Sequence, residues 1–488
     1  MLPNWLIHRA YLTPDRPALI TASEQLTFRD LLTRAQTSAY QLAALEVKTG
    51  DAVAVLMRNS VEFVVLMHAV NMLGATLVPL NTRLTPTEIA WQLDNVKAKL
   101  FITDEDNDPT AQNALTERPL GSSESPLVVD VPPSVPLLQQ YALDAVHSII
   151  HTSGTTGHPK GTMLTFGNFW WSSVGSALNL GNHADDRWLA CMPLFHVGGL
   201  SIAIKSVIYG IPMVLHQSFD AAAVNRAIDE QKVTIVSVVA TMLARMLDER
   251  GDKPYPASLR CVLLGGGPAP QPLLEACAAR GVPVVQTYGL TEAASQVATL
   301  APEDALRKLG SAGKPLFPME IRIVKDEQSV NAGEMGEILV RGPSVTPGYY
   351  NQREASRQAL RGGWLHTGDI GYLDDEGFLY VVDRRDDLII SGGENVYPAE
   401  VEAVLMAHPD VVEAAVIGVS DEKWGAVPAA LIKIRDGAIF DAESLRAFCA
   451  ARLARFKVPV HIKATNELPR TASGKLVRRV VAAQWVAG

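Results

Sequence analysis

The sequence has 488 residues, of which 48% are hydrophobic and 19% are charged, so it can form two or more domains with ordinary hydrophobic cores. Its formal net charge of -9 argues against a nucleic-acid-binding protein, because such a protein presents a basic surface to the phosphates. The 4 cysteines have no C-x-x-C spacing, which argues against a structural zinc site and indicates reduced thiols in a cytoplasmic protein.

No targeting or membrane segment is predicted. The first residues lack the charged start and the apolar core of a signal peptide. The longest uncharged apolar run, residues 64–80, is shorter than the ~20 residues that a membrane span requires. We expect this run to form a buried helix that stops at Gly74 and is followed by a strand.

Residues 18–103 alternate between short β-branched runs and longer segments with helical spacing of apolar residues. The predicted strands are residues 18–21, 52–57, 76–79 and 100–103, and the predicted helices are residues 27–45, 61–73 and 86–95. This alternation is typical of an α/β fold in which helices cover both faces of mostly parallel sheets. Residues 104–138 interrupt the alternation with acidic residues, prolines and serines, and we expect a surface excursion there.

The segment 152–161, Thr-Ser-Gly-Thr-Thr-Gly-His-Pro-Lys-Gly, follows a β-rich run and predicts a phosphate-binding loop. Its glycines expose backbone N–H groups, its hydroxyls are further donors and Lys160 supplies a cation, which together suit a polyphosphate. The segment differs from the G-x-x-x-x-G-K-[ST] loop, because His158 and Pro159 separate the lysine from the second glycine. The alternative is a flexible surface linker, but a linker needs no Pro-Lys-Gly in a fixed position after a buried strand.

The alternation resumes after this loop. The predicted strands are residues 188–192, 213–215 and 234–239, with helices from about residue 199 and up to residue 231. A strand from Cys261 then ends in the glycines 265–267, and a strand from Val284 ends at Tyr288-Gly-Leu-Thr-Glu292. Ligands bind beyond the carboxyl ends of strands in open α/β sheets, so we expect residues 152–161, 265–267 and 288–292 to converge on one crevice.

Beyond Gly310 the pattern changes to short strands in a glycine-rich context, which predicts a β-rich subdomain. Its strands are residues 320–324, 336–341 and 378–382. A cluster of charges at 383–387 precedes a smaller α+β pattern, with helices at 398–408 and 442–455 and strands at 411–418, 428–434 and 460–465. We therefore predict a large N-terminal domain (1–383), a hinge (384–386) and a small C-terminal lid domain (387–488).

Polar side chains near the predicted strand ends suit a nucleotide. A carboxylate beside a phosphate loop repels the ligand unless a cation bridges them, so Glu292 implies Mg²⁺. Tyr288 could stack on a purine, and Asp369, which we expect on a tight Thr-Gly-Asp turn, suits ribose hydroxyls. Each residue alone also allows an ordinary role: a first-turn helix carboxylate for Glu292, a common Gly-Asp turn, and a solvent-exposed tail lysine for Lys475.

Five motifs occur in a fixed order along the chain. They are TSGTTGHPKG (152–161), YGLTE (288–292), HTGD (366–369), DRRDDLIISGGENVYPAEVE (383–402) and PRTASGK (469–475). With them the sequence resembles, over essentially its whole length, the adenylate-forming superfamily of acyl-CoA synthetases, peptide-synthetase adenylation domains and luciferases. The resemblance implies an α/β fold: a large N-terminal domain of helix-flanked, mostly parallel sheets with a distorted β-barrel subdomain, and a small α+β C-terminal lid.

The resemblance also implies that ATP, Mg²⁺ and coenzyme A are bound, and that an acid is activated as acyl-AMP and then transferred to CoA. The implied ATP-binding residues are Thr152, Ser153, Gly154, Thr155, Thr156, Gly157, Lys160, Gly265, Gly266, Gly267, Tyr288, Thr291, Asp369, Arg384 and Lys475. The implied catalytic residues are Lys475, Thr291, Glu292 and His196, with Glu292 holding the metal. Asp386 matches the hinge, and Ser391, Gly392 and Gly393 match the passage for CoA.

Two residues indicate the pocket for the acid. Phe195-His196 stands where the superfamily has a gate between the nucleotide and acyl pockets, and a satisfied core histidine is the alternative. Lys205 interrupts the apolar run 200–209 of a predicted buried helix, which is costly unless the charge is paired. Its options are an internal ion pair, extension to the surface, or binding of a second substrate carboxylate. The implied substrate-binding residues are His196, Lys205 and Gly266.

Shorter segments give a closer resemblance to the o-succinylbenzoate–CoA ligases of menaquinone biosynthesis. They are residues 176–181, 186–189, 205–210, 264–270 and 308–315. The substrate of these ligases is an aromatic dicarboxylic keto-acid, so one carboxylate would be activated while a cation such as Lys205 held the other.

Three alternatives stay open: a CoA synthetase for another acid, a peptide-synthetase adenylation module and a non-catalytic nucleotide sensor. A module needs a carrier domain, in cis or in trans, and we expect none attached because the sequence stops at Gly488. A sensor would be expected to lack Lys475 or Glu292, and both are present. We expect partners that are small molecules, namely the acid, ATP and CoA, with no nucleic acid; self-association into a homo-oligomer is left open.

Overall fold

The computed structural model describes residues 1–117, 135–152, 159–266, 269, 271–383, 388–435, 437–469 and 478–487. Residues 1–117 alternate between strands and helices. They form β1 (Leu2–Pro3), α1 (Trp5–Leu12), β2 (Pro17–Ile20), β3 (Gln25–Thr27), α2 (Phe28–Ala44), β4 (Ala52–Leu56), α3 (Val61–Met72), β5 (Thr76–Pro79), α4 (Pro86–Asn95), β6 (Leu100–Thr103) and α5 (Asp108–Glu117). Every element predicted for residues 18–103 is confirmed, and the apolar run is the buried helix α3 followed by β5.

The surface excursion predicted for residues 104–138 is partly wrong, because α5 lies within it. Its Ala111 and Ala114 pack into a hydrophobic cluster with Leu93 of α4, and this tertiary contact compensates for the weak apolar pattern of the helix. Residues 118–134 lie outside the described part of the chain.

The middle of the chain continues the alternation. It forms β7 (Gln140–Tyr141), β8 (Val146–Thr152), β9 (Lys160–Thr165), α6 (Phe166–Leu180), β10 (Trp188–Ala190), α7 (Val197–Tyr209), β11 (Met213–Leu215), α8 (Ala221–Glu230), β12 (Ile235–Val238), α9 (Ala240–Arg250), β13 (Cys261–Leu264), α10 (Gln271–Ala279), β14 (Val284–Leu290) and β15 (Ser295–Thr299). Three helices of the N-terminal part, α2, α4 and α6, begin with capping boxes in which a Thr side chain and the third helical residue satisfy each other's backbone N–H groups.

The remaining elements are mostly strands, followed by a small α+β unit. They are β16 (Lys314–Pro315), β17 (Glu320–Lys325), β18 (Gln328–Ser329), β19 (Gly336–Arg341), α11 (Arg353–Ala359), β20 (Leu360–Arg361), β21 (Trp364–Leu373), β22 (Leu379–Asp383), β23 (Ile389–Ser391), β24 (Glu394–Val396), α12 (Pro398–Met406), β25 (Val411–Asp421), β26 (Gly425–Ile434), α13 (Ala442–Ala450), β27 (His461–Ala464) and α14 (Arg478–Ala487). Short 3-10 helices lie at Thr291–Ala293, Pro302–Asp304 and Arg455–Lys457.

Two helix-flanked sheets form the body of the N-terminal part. The first sheet has the order β6-β4-β5-β8-β9 and is parallel except for the β8–β9 hairpin. The central sheet has the order β16-β15-β14-β13-β12-β10-β11-β2-β3 and is parallel from β14 to β2. From β10 the chain passes to β11 on one side and then to β12 on the other, so the strand order reverses at β10. A crevice at the carboxyl ends of the strands is expected at such a reversal.

The β-rich subdomain and the C-terminal unit each have their own sheet. The first is an antiparallel half-barrel of order β18-β17-β19-β21-β20, with β22 paired to β21. The second, the lid sheet, has the order β24-β23-β26-β25, with β27 paired to β26. The predicted α/β fold is thus confirmed. The domain limits stay a prediction, because residues 384–387 lie outside the described part.

The largest hydrophobic cluster lies between the first and central sheets. It contains residues of α2, α3, α6 and α7 together with inward-facing residues of both sheets, such as Val53 and Trp188. This packing fixes the two sheets against each other and so fixes the strand ends that face the crevice. Among the residues that the structure describes, no helix has both the length and the apolar character that crossing a bilayer requires.

Candidate active site

A cavity of about 230 Å³ lies beyond the carboxyl ends of the central strands, between the two large sheets, the half-barrel and the lid sheet. All three strand ends predicted to converge contribute to its wall. The predicted site residues that line it are Thr152, Lys160, His196, Lys205, Gly265, Gly266, Thr291, Glu292, Asp369 and Gly393. The convergence predicted for residues 152–161, 265–267 and 288–292 is therefore confirmed for their described members that line the cavity.

The described ends of the predicted phosphate loop are both at this cavity. Thr152 ends β8 and Lys160 begins β9, where they pair in an antiparallel ladder. The Lys160 ammonium lies 5.2 Å from the ring centre of Tyr349, within the range of a cation–π contact. The loop residues Ser153, Gly154, Thr155, Thr156 and Gly157 lie outside the described part of the chain, so their phosphate contacts stay a prediction.

Thr291 and Glu292 follow β14 on a 3-10 turn and face the cavity. The Tyr349 hydroxyl donates to Glu292 Oε1 over 2.9 Å, and the Thr346 N–H donates to the Glu292 carbonyl over 2.7 Å. These bonds fix both the side chain and the backbone of Glu292. Tyr349 thus contacts the carboxylate with its hydroxyl and the Lys160 cation with its ring face.

The donor set fits Mg²⁺ that arrives with a nucleotide. Among the described residues there is no group of three or more His, Cys, Asp and Glu side chains that could hold a metal ion on its own. Mg²⁺ in phosphate sites commonly takes one or two carboxylates and completes its octahedron with phosphate oxygens and water. Glu292, facing the ends of the phosphate loop, is a carboxylate of this kind.

Asp369 and Tyr288 are joined by a hydrogen bond in which the Tyr288 hydroxyl donates to Asp369 Oδ2 over 2.6 Å. Asp369 lines the cavity, whereas Tyr288 is only 4% exposed and packs in the hydrophobic cluster of the half-barrel. Stacking of adenine on this ring stays a prediction. In the structure described here the tyrosine acts on Asp369, whose carboxylate it orients.

The tight turn expected at Thr367-Gly-Asp369 is wrong, because these residues lie inside β21. Pairing with β19 shifts between Leu339–His366 and Glu337–Ile370, so β21 bulges here instead of reversing. Gly368 has a φ of 73°, which a residue with a Cβ adopts at a cost. The bulge directs the Asp369 carboxylate toward the cavity.

Gly265 and Gly266 follow β13 and leave no room for side chains. A Cβ on Gly265 would lie 2.9 Å from Thr287 Cγ2, and a Cβ on Gly266 would lie 2.9 Å from Val239 Cγ1. Gly266 also has a φ of 83°. The backbone therefore forms this part of the wall directly, as a flat ligand requires, and Gly267 lies outside the described residues.

His196 is the N-cap residue of α7 and contacts the lid. Its Nε2 lies 3.1 Å from Glu394 Oε2, and Glu394 also accepts from Arg83 over 2.9 Å and from Asn81 over 3.0 Å. Burial alone would raise the pKa of Glu394, but His196, Arg83 and Asn81 stabilise the carboxylate and hold the pKa below its usual range. Because a carboxylate only accepts, the imidazole carries its proton on Nε2. The alternative of a satisfied core histidine is excluded, since the side chain is 37% exposed and lines the cavity.

Lys205 lies at the inner end of the cavity on α7 and is 2% exposed. Its ammonium donates to Gln296 Oε1 over 2.5 Å and lies 5.6 Å from the ring centre of Trp188. Burial lowers its pKa to about 7. Among the described residues no carboxylate forms an ion pair with Lys205, and its side chain does not reach the surface, so the described structure shows neither the internal ion pair nor the extension to the surface.

The hairpin between β23 and β24 brings the lid to the cavity. Gly392 and Gly393 form its turn with φ values of 57° and 87°, and Gly393 lines the cavity opposite Val239. A Cβ on Gly392 would lie 2.6 Å from the Trp424 ring, whereas Gly393 has open space around it. Ser391 ends β23 and is buried.

Arg384, Asp386 and Lys475 also lie outside the described part of the chain, and their roles in binding ribose, in the hinge and in catalysis stay predictions. Conversely, Tyr349, Gln296 and Glu394 contact the predicted residues but were not identified from the sequence. Glu394 lies within the motif 383–402, which was a usable signal. Tyr349 and Gln296 stand in no motif, and only the fold brings them to Glu292 and Lys205.

Comparison with known proteins shows similarity to one enzyme family along nearly the whole chain. Residues 6–350 match the family model of AMP-binding enzymes, and residues 400–475 match that of the AMP-binding enzyme C-terminal domain. A 2-succinylbenzoate–CoA ligase of Geobacillus kaustophilus is 55% identical over 478 residues, which cover 98% of this chain and 97% of the relative.

Two solved structures of o-succinylbenzoate CoA synthetase from Bacillus subtilis are similar to different degrees. A double mutant with the product analogue OSB-NCoA has a TM-score of 0.93 at 47% identity, and the complex with ATP and magnesium ion has a TM-score of 0.76 at 46% identity. Each comparison covers 98% of both chains. Since sequence identity and coverage are nearly the same, the difference in TM-score is one of backbone conformation, and the conformation of this chain is more similar to that of the product-analogue complex than to that of the ATP complex.

Proposed function

The chain belongs to the AMP-binding enzyme family, and from this membership we propose that it is an AMP-forming ligase that joins 2-succinylbenzoate to CoA in menaquinone biosynthesis. One observation carries the proposal: a single cavity joins Lys160 and Glu292, which suit a nucleotide, to the buried Lys205, which suits a second carboxylate, and Gly393 of the lid stands at its wall. The near-full-length similarity to 2-succinylbenzoate–CoA ligases supports the choice of acid.

In the first step the aliphatic carboxylate of the acid attacks the α-phosphorus of ATP. A new C–O–P linkage forms, the bond to the β-phosphate oxygen breaks, and pyrophosphate leaves. Lys160 and the phosphate loop stabilise the leaving group, while Lys475 and Thr291 stabilise the charge that spreads over the reacting oxygens. Mg²⁺, held by Glu292, supplies neutralisation of the phosphate charge when it is bound. Asp369 and Arg384 hold the ribose.

In the second step the thiolate of CoA attacks the carbonyl carbon of the acyl-adenylate. The C–S bond forms, the C–O bond to phosphate breaks, and AMP leaves. Gly392 and Gly393 give a backbone-only border to the passage, which a pantetheine arm needs. His196 stands between the nucleotide and acyl ends of the cavity, so we assign it to positioning the reacting carboxyl group.

Lys205 selects the acid. Burial of an uncompensated ammonium costs free energy, and a benzoate carboxylate beside Gln296 and Trp188 offsets this cost by forming a charge-assisted pair. The same carboxylate raises the pKa of Lys205 again and keeps the side chain charged. A monocarboxylic acid leaves the ammonium without a counter-charge, so it is bound less tightly.

The reaction takes place in the cytoplasm in this proposal. The cysteines Cys191, Cys261, Cys277 and Cys449 are free and buried, which suits a reducing compartment. The partners of the protein in this proposal are the acid, ATP and CoA, and self-association into a homo-oligomer is left open. The hinge at 384–386, with Asp386, lets the lid change its arrangement between the two steps.

The test is pyrophosphate release across a panel of acids, each measured with and without CoA. We expect 2-succinylbenzoate to exceed benzoate and fatty acids in kcat/KM by on the order of a hundredfold, as one charge-assisted contact provides. CoA-dependent formation of the thioester is followed in the same samples. Equal turnover of benzoate or fatty acids contradicts the choice of acid and leaves an acyl-CoA synthetase with another substrate.

A further inference from the structure

A buried group of three charges joins the C-terminal domain to α4. The Lys457 ammonium donates to Glu400 Oε1 over 2.8 Å and to Glu88 Oε1 over 2.6 Å. Lys457 and Glu400 both belong to the C-terminal domain, whereas Glu88 belongs to α4 of the N-terminal part. The three side chains are 4%, 6% and 9% exposed for Lys457, Glu400 and Glu88, so solvent does not screen the contact.

The Glu88 carboxylate is held in place by the start of its own helix. The backbone N–H and the hydroxyl of Thr85 both donate to Glu88 Oε2 over 2.9 Å, while Oε1 accepts from Lys457. One oxygen therefore caps α4 and the other binds the lid. A capping box accommodates Gln as well as Glu at this position, so the negative charge can be removed while the cap is kept.

Apolar contacts surround these charges. Ala454, which precedes the short helix of Lys457, is 1% exposed and belongs to the hydrophobic cluster of the first sheet, with Ile89 of α4. Phe456 packs against both that cluster and the core of the lid. The C-terminal domain is thus seated on α4 by a packed surface that excludes water from the ion pairs.

The ion pair between Lys457 and Glu88 stabilises only an arrangement in which the C-terminal domain lies against α4. Burial alone would lower the pKa of Lys457, but Glu400 and Glu88 more than offset it, and the pKa lies above its usual range. A buried charge that loses a partner is left uncompensated. When the lid turns away from α4, Lys457 keeps Glu400 and loses Glu88, so the contact stabilises the arrangement described here against others.

We propose that Glu88 is a positioning residue for the thioester-forming step, in which its bond to Lys457 holds the lid where Gly393 borders the cavity. This inference rests on the proposed two-step function. It is supported by the likeness of the domain arrangement to that of the product-analogue complex. Glu88 is not among the residues that line the cavity, so it acts through the lid.

The test separates the two half-reactions of Glu88→Gln. Adenylation is measured as single-turnover pyrophosphate release without CoA, and thioester formation as the CoA-dependent consumption of preformed acyl-adenylate. We expect the second rate constant to fall about tenfold and the first to stay within about twofold of the unsubstituted enzyme. The intact adenylation rate also reports that the variant is folded.

Asp30→Asn is the matched control, because Asp30 caps α2 with Thr27 in the same way, is exposed and has no hydrogen bond or ion pair with the described part of the lid. It should leave both half-reactions unchanged. An equal loss in both half-reactions of Glu88→Gln, an unchanged thioester rate, or the same defect in Asp30→Asn overturns the proposal. The acid is whichever member of the panel gives an acyl-adenylate, so failure of 2-succinylbenzoate as substrate is distinguished from failure of the positioning role.

Discussion

Lys205 combines three properties that seldom occur together in one lysine. It is buried, its described contacts are the Gln296 amide oxygen and the Trp188 ring, and it faces a cavity. A side chain of this kind destabilises the folded protein, because its pKa of about 7 lies below the value of about 10.4 in an unfolded chain. Such a destabilising residue is explained if its ammonium binds a charged group of the ligand.

We predict that Lys205→Met lowers kcat/KM for 2-succinylbenzoate by on the order of a hundredfold, through loss of a charge-assisted contact. Met has a similar volume, so the cavity keeps its shape. The KM for ATP should not change, and the variant should unfold at the same or a higher temperature because a buried ammonium has been removed. Steady-state kinetics with both substrates and thermal unfolding measure these outcomes.

The control is a monocarboxylic acid that the enzyme turns over, however slowly. Its kcat/KM should change little in Lys205→Met, since it offers no second carboxylate to Lys205. An equal loss for both acids means that Lys205 supports the fold of the pocket and does not recognise the substrate.

Among single residues, the sequence predicts those that belong to motifs. It does not predict those that reach the site through tertiary contacts. Lys205 is visible because its charge interrupts an apolar helix. Its hydrogen-bond partner Gln296 cannot be predicted from the sequence, because the contact depends on β15 passing beside α7. The motif of Tyr288 predicts a contact with adenine, whereas in the structure its hydroxyl donates to Asp369, a residue far from it in the sequence.

Among the elements, the β23–β24 hairpin determines what the lid can present to the cavity. Its Gly-Gly turn has positive φ at both positions, as a two-residue hairpin of this kind requires. Gly393 has no neighbour close to its missing Cβ except Val239 Cγ2 at 4.0 Å. A side chain at this position therefore has space to enter, and the space that it enters is the proposed passage for CoA.

We predict that Gly393→Leu slows thioester formation by on the order of tenfold to a hundredfold and has a smaller effect on adenylation. The substitution narrows the passage and also strains the backbone by about 1 kcal/mol. Gly437→Leu is the control for strain, because Gly437 is in the same domain, has a φ of 84° and has nothing within 4 Å. The rates of both half-reactions are measured for the two variants. Equal effects of Gly393→Leu and Gly437→Leu mean that backbone strain alone causes the loss of thioester formation.

The periodic elements were predictable because their burial is regular. The strands β4 and β5 are buried along their whole length, and α3 is buried almost all around and begins after the capping residue Ser60. The sequence does not predict α5, because of its described side chains only Ala111 and Ala114 are buried; the bulge in β21 resembles a turn in sequence because Gly-Asp is common to both. The position of the lid depends on contacts such as Lys457–Glu88, which no local pattern encodes.

At the scale of the whole molecule, buried histidines make the stability of the N-terminal part depend on pH. Burial lowers the pKa of His68 to about 4 and those of His147 and His151 to about 3. His147 is enclosed by Phe166 and Phe169, and among the described residues its Nδ1 has no hydrogen-bond partner. In the unfolded chain each of these histidines titrates near 6.5.

The unfolded state therefore binds more protons than the folded state between about pH 3 and 6.5, so the free energy of unfolding falls as the pH falls through this window. The contribution of the neutral histidines is fully present above pH ~6.5.

We predict that His147→Phe, which keeps an aromatic ring among Phe166 and Phe169, reduces the slope of the free energy of unfolding against pH. The reduction is at most about 1.4 kcal/mol per pH unit, because one proton is involved. Denaturant unfolding at several values between pH 6.5 and 4.5 measures the slope. His183→Phe is the control because His183 is exposed, and the slope of this variant should equal that of the unsubstituted protein. If His147→Phe leaves the slope unchanged, His147 takes up no proton when the protein unfolds.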